Sequence, residues 1–140
     1  MKKLFLVLLF VPLVSFGQEL FKAVLAQKAR DNMIMGVEKM KVKDYEGAMA
    51  DFNKATELNP DYADAYFETG NLKSLLKDYY GAIADFNKVI ELNPDNAGAY
   101  NSRGLSKYYL DDINGACSDL RKSVNLGNTD LQDFIGKVCN

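Results

Sequence analysis

Cys117 and Cys139 are the side chains best suited to covalent chemistry in this 140-residue chain, and they are its only cysteines. Twenty-one residues separate them, so there is no Cys-x-x-Cys redox motif, and two thiols are too few for a four-ligand zinc site. The chain has no His. That removes the imidazole base, the imidazole ligand and any Ser-His or Cys-His pair. The 19 acidic residues fall mostly at helix starts or three residues before a Lys, as caps and ion pairs do, and no glycine-rich phosphate loop is present. These residues predict no catalysis, no metal and no cofactor. Seventeen basic residues against 19 acidic ones leave a net charge of -2, without the basic stripe that nucleic acid requires. With 48% apolar residues the chain is rich enough to fold as one domain.

The amino-terminal segment carries a different signal. Lys2 and Lys3 precede an uncharged run of 11 residues, Leu4 to Val14, which is short for a bilayer span. Ser15 and Gly17 then supply the small residues a signal peptidase needs. The reading is a signal peptide over 1–17 with a cut before Gln18. An uncleaved membrane anchor is the alternative. Loss of Lys2 and Lys3 leaves 15 basic against 19 acidic residues, a net charge of -4, on a chain exported to a periplasmic or extracellular space. An exported chain with an even number of cysteines favours a Cys117–Cys139 disulfide, worth roughly 3 kcal/mol in the chain-entropy model. Cys117 also takes the place held by Met49 and Ile83, so a buried small hydrophobe is the other reading.

From residue 29 onward the chain repeats every 34 residues. Gly36, Gly70 and Gly104 are so spaced, as are Asp44, Asp78 and Asp112, then Ala48, Ala82 and Ala116. Ala50-Asp51-Phe52-Asn53-Lys54 returns as Ala84-Asp85-Phe86-Asn87-Lys88, and Glu57-Leu58-Asn59-Pro60 as Glu91-Leu92-Asn93-Pro94. A fixed period of this length marks a solenoid. Each unit predicts a helix A, a two-residue turn whose Asp caps the next helix, and a helix B. Gly70 and Ala82 let two backbones approach while Phe86 fills the space beside them. Pro94 ends helix B. Leu20, Phe21, Val24 and Leu25 extend or precede the first helix as an amino-terminal cap. The third copy drifts, with Leu120 for Phe, Ser123 for a small apolar residue and Gly127-Asn128 for Asn-Pro. A short last helix over about 130–139 places Phe134 34 residues beyond Tyr100 and caps the array.

This pattern resembles the tetratricopeptide repeat family, with Tyr66, Gly70, Tyr79, Ala82, Phe86 and Pro94 in the family's places. Thr69 and Lys73 depart from it, where the family often has Leu and Tyr. The resemblance implies an all-α superhelix, a single domain over 18–140 with repeats at about 29–62, 63–96 and 97–130. It also implies an inner groove lined by the A helices. Phe67, Glu68, Asn71, Asn101, Ser102, Leu105, Tyr108 and Tyr109 are the candidate groove residues, with Arg30, Met33, Ile34, Val37, Ser74 and Leu75 beside them. Asn71 and Asn101 suit a peptide backbone, and the aromatic rings suit apolar contact. The carboxylate clamp that some members use is absent, because its places hold Met33, Val37, Glu68, Gly98 and Ser102.

Two further columns are expected to be surface features. Asp51, Asp85 and Asp119 read as intrahelical pairs with Lys54, Lys88 and Lys122. Lys39, Lys73 and Lys107 read as a solvated face, so Lys73→Ala is expected to change stability by no more than about 0.5 kcal/mol. Two functions survive. The first is a non-catalytic adaptor in the cell envelope that binds a protein or peptide. The second is an architectural, self-associating solenoid that organises an assembly without a peptide ligand.

Overall fold

The computed structural model describes residues 2–139, with side chains from 15 to 139. The apolar run read as a signal segment lies outside the residues whose side chains are described. The architecture is all-α: α1 (Lys2–Lys41), α2 (Tyr45–Leu58), α3 (Ala63–Leu75), α4 (Tyr79–Leu92), α5 (Ala97–Tyr109), α6 (Ile113–Asn125), a 3-10 turn (Thr129–Leu131) and α7 (Gln132–Val138). Helices α1, α3 and α5 are the A helices, and α2, α4 and α6 the B helices. Residues 18–30 continue α1 without a break. Among the described residues no helix is long and apolar enough to cross a membrane.

Each A–B turn is built the same way. Lys43, Lys77 and Asp111 adopt left-handed backbone angles, with φ of 64°, 66° and 61°. This lets the next amide reach back five residues, as from Asp78 N to the Lys73 carbonyl at 2.8 Å, satisfying a carbonyl the helix end would leave unpaired. The same Asp then starts the B helix: its carboxylate accepts from the amide of Gly47, Gly81 or Gly115 at 2.9 to 3.0 Å. These three glycines have a cause the periodicity does not reveal. A Cβ there would collide with the capping carboxylate itself.

Phe52 and Phe86 are fully buried at the A–B crossings. A Cβ on Gly70 would stand 2.7 Å from the Phe86 ring, so the glycine is what admits the phenyl group. In the third hairpin Leu120 replaces the ring and Gly104 has more room, 3.0 Å to Leu120 Cγ. Successive hairpins join through small residues, with Ala29, Ala55 and Ala65 forming one buried cluster. Ser123 is no loss of packing. It is fully buried, and its hydroxyl donates to the Ala97 carbonyl at 2.8 Å, joining the two ends of the third hairpin.

The expected ionic pattern is overturned. Asp51 and Asp85 do not pair with the Lys three residues on; Lys54 and Lys88 bind Glu57 and Glu91 instead, at 3.0 and 2.8 Å. Lys122 lies over the Tyr100 ring, 5.8 Å from its centroid. The aspartates face the A helix of their own hairpin. Lys39 meets Asp51 at 2.7 Å, Lys73 meets Asp85 at 2.7 Å and Lys107 meets Asp119 at 2.8 Å. The Lys column is therefore not a solvated face but one half of a cross-helix ladder, with the Lys73 and Asp85 side chains only 26% and 14% exposed. The signal lay in the sequence, since both columns share the 34-residue period and stand 12 residues apart. Periodicity alone does not say on which side of the helix an Asp finds its cation.

Candidate functional site

The A helices α1, α3 and α5 line the inner groove, and the Ser74 and Ser106 hydroxyls, 3.1 Å apart, tie α3 to α5. Ser106 also donates to the Ser102 carbonyl at 2.8 Å, one turn back on α5. Around that tie the candidate residues divide into two groups.

Phe67, Met33 and Val37 are spent largely on packing. The Phe67 ring stands 5.8 Å from Phe86, and its edge comes close to Gly98 of α5. Met33 and Val37 pack on the buried Phe52 and Leu72 cluster. Tyr108 and Tyr109 behave differently. Tyr109 stacks on Tyr79 of the preceding hairpin at 4.9 Å, and Tyr108 meets Tyr109 edge-on at 5.9 Å and Phe134 at 5.5 Å. An aromatic chain thus runs from α4 through α5 to α7. Phe134 was expected only as a cap residue, and it completes this wall.

The polar candidates differ. The half-buried Glu68 and Asn71 side chains of α3 have no hydrogen-bond or ionic partner among the described residues. Asn101 on α5 has its side-chain oxygen buried and without a hydrogen-bond donor. An acceptor kept from water and from protein donors costs about 1 to 3 kcal/mol. Leu105 is half-buried and adds an apolar step on the same helix.

Sequence reasoning missed the strongest polar cluster, which lies behind α5. Arg103 grips Asp119 with two nitrogens, at 2.8 and 2.6 Å, donates to Asn87 of α4 at 2.7 Å and lies over the Tyr100 ring. Its bond to Asp119 holds the guanidinium pKa above its usual value. Lys107 also binds Asp119, whose side chain is 6% exposed, so every cation there is occupied in joining α4, α5 and α6. This cluster fixes the backbone that carries Asn101 and Tyr108. Among the described residues no group of three His, Cys, Asp or Glu is placed to hold a metal ion.

Cys117 and Cys139 form a disulfide with Cα atoms 5.7 Å apart, tying α6 to the end of α7. Arg121 donates to the Cys139 carbonyl at 3.1 Å beside it.

Comparison with known proteins agrees with this geometry. A family model described as TPR repeat matches residues 39–77, and one described as tetratricopeptide repeat matches 63–96. No curated protein matches the sequence significantly. Among solved structures, the first TPR of Spaghetti (RPAP3) bound to the HSP90 peptide SRMEEVD superposes with a TM-score of 0.78 at 22% identity, covering 81% of this chain and 92% of that one. The Arabidopsis OM64 TPR domain gives 0.76 at 21% identity, covering 81% and 94%. MamA gives 0.70 at 24%, covering 75% of this chain and 61% of that one. At these identities the likeness is one of fold.

Proposed function

Because the chain is a member of the tetratricopeptide repeat family, we propose that it is a non-catalytic adaptor whose inner groove holds an extended peptide segment of a partner protein. The side chains of Glu68 and Asn71, half-buried on a groove helix and without a hydrogen-bond or ionic partner among the described residues, are the observation that carries this reading. The Asn71 amide can both donate to and accept from a peptide backbone. The Spaghetti domain, which has this fold, binds a peptide. The ligand class differs. With Met33, Val37, Glu68, Gly98 and Ser102 in the clamp places, the cations that a terminal carboxylate needs are missing from those places, and Glu68 repels such a carboxylate.

Selection of displayed random peptides on the oxidised protein tests the reading. Selected peptides are expected to bind Asn71→Ala and Tyr108→Ala at least tenfold more weakly, and equal binding would sink the groove. The peptide SRMEEVD is expected to bind no better with a free terminus than with an amidated one.

The adaptor works outside the cytoplasm. The amino-terminal sequence supports export, and a disulfide at the end of the array suits an oxidising compartment. The intact mass of protein recovered from its compartment decides the cut: the mass of Gln18 to Asn140 is expected, and a mass retaining residues 1 to 17 would restore the anchor.

A further inference from the structure

The three A–B turns lie along one edge of the array, and at the second and third turns that edge is apolar. Tyr80 is 76% exposed and Tyr109 62%, with Leu75, Leu76 and Ile113 between about two-fifths and a little over half. Tyr79 of the second turn stacks on Tyr109 of the third, so the two turns form one surface. Together these side chains offer on the order of 500 Å² of apolar surface, about the size at which an exposed patch marks an interaction site. Tyr80 starts a B helix and is not a groove residue, so the patch extends past the peptide groove.

The charges at the centre of this edge say what covers it. Lys77 and Asp111 hold equivalent places in successive turns, both in the left-handed conformation that glycine adopts more readily, and neither side chain has an ionic partner among the described residues. One turn thus presents a cation and the next an anion on the same ridge. A two-fold axis between the turns sets the second turn of one copy against the third turn of the other. Lys77 then faces Asp111 twice, and Leu75, Leu76 and Tyr80 cover Tyr109 and Ile113. We infer that this edge is the interface of a symmetric dimer of the chain. Two copies of the patch bury about 1,000 Å², the low end for specific association, so the dimer is weak and reversible.

Sedimentation of the full oxidised protein from about 5 to 500 µM is expected to show the mass doubling within that range. Tyr80→Ser is expected to weaken association at least tenfold. Lys77→Asp sets like charges against each other in a homodimer, and so does Asp111→Lys. Each variant alone is expected to sediment as a monomer at concentrations where the wild type is a dimer. Both residue types already occupy this turn position, so both variants keep the fold, which their helical circular dichroism checks. An equal mixture of the two variants pairs every Lys with an Asp and is expected to restore the dimer. A wild type that stays monomeric throughout, a dimer indifferent to Tyr80→Ser, or a mixture that fails to associate would each overturn the interface.

Discussion

Lys73 bridges a hairpin, and its removal strands a half-buried carboxylate. Lys73→Ala is expected to cost about 1 to 2 kcal/mol, since a buried charge loses its charged hydrogen-bond partner. Lys54→Ala, which breaks an exposed pair on one helix, is expected to stay within about 0.5 kcal/mol. Urea denaturation of both variants checks this, and equal midpoints would mean the ladder is ornamental. Burial raises the Asp85 pKa above the usual carboxylate value, and the hydrogen bond and charge of Lys73 only partly reverse that. The sign follows directly. The folded state holds this proton more firmly than the unfolded chain, so stability from the group is full below the unfolded pKa and is lost as pH rises through the folded one. Asp85→Asn is therefore expected to remove a loss of stability just above the usual carboxylate range, seen as a flatter profile of unfolding free energy against pH. Both columns of this ladder were legible as columns. Their pairing was not, because Asp85 can meet Lys88 on its own helix or Lys73 across the crossing, and only the rotation of α4 about its axis decides which.

At the scale of the helices, the sequence was most readable where one residue type does a job no other can. Gly70 is such a place, since the Phe86 ring occupies the space of its missing side chain. Gly70→Leu is expected to cost more than 2 kcal/mol by overpacking, whereas Gly136→Ala, with nothing within 4 Å of the new atom, gains up to about 1 kcal/mol of helix propensity. Thermal melts of the two variants should move in opposite directions. The Asp caps and proline stops were equally plain. Less plain was α7, a helix with no buried residue, held by the Phe134 contact and the disulfide. Cys117→Ser with Cys139→Ser is expected to cost about 3 kcal/mol in the chain-entropy model. Hydrogen exchange should speed up in α7 and leave α3 and α4 protected; uniform loss of protection would mean the tie supports the whole array.

For the whole molecule, a 34-residue period dictated the stack, because each hairpin leaves an apolar face that only the next can cover. The groove was legible as a surface but not as a division of labour. Phe67 and Tyr108 look alike in the sequence, yet one ring is wedged between α4 and α5 while the other lines an open wall, since Gly98 gives the first a slot. The Cys117–Cys139 bond also has a mechanical meaning. Tension applied between a handle ahead of α1 and one beyond Cys139 enters the array at Cys117, so the load path bypasses the last helix. The segment between the sulfurs, 22 positions from Cys117 to Cys139, is slack that cannot be drawn out. At full extension of about 3.4 Å per residue, single-molecule pulling of the reduced protein should yield about 70 Å more contour length than the oxidised form. An adaptor strung between two partners would then carry force through its three hairpins and keep its carboxy-terminal cap as a stop.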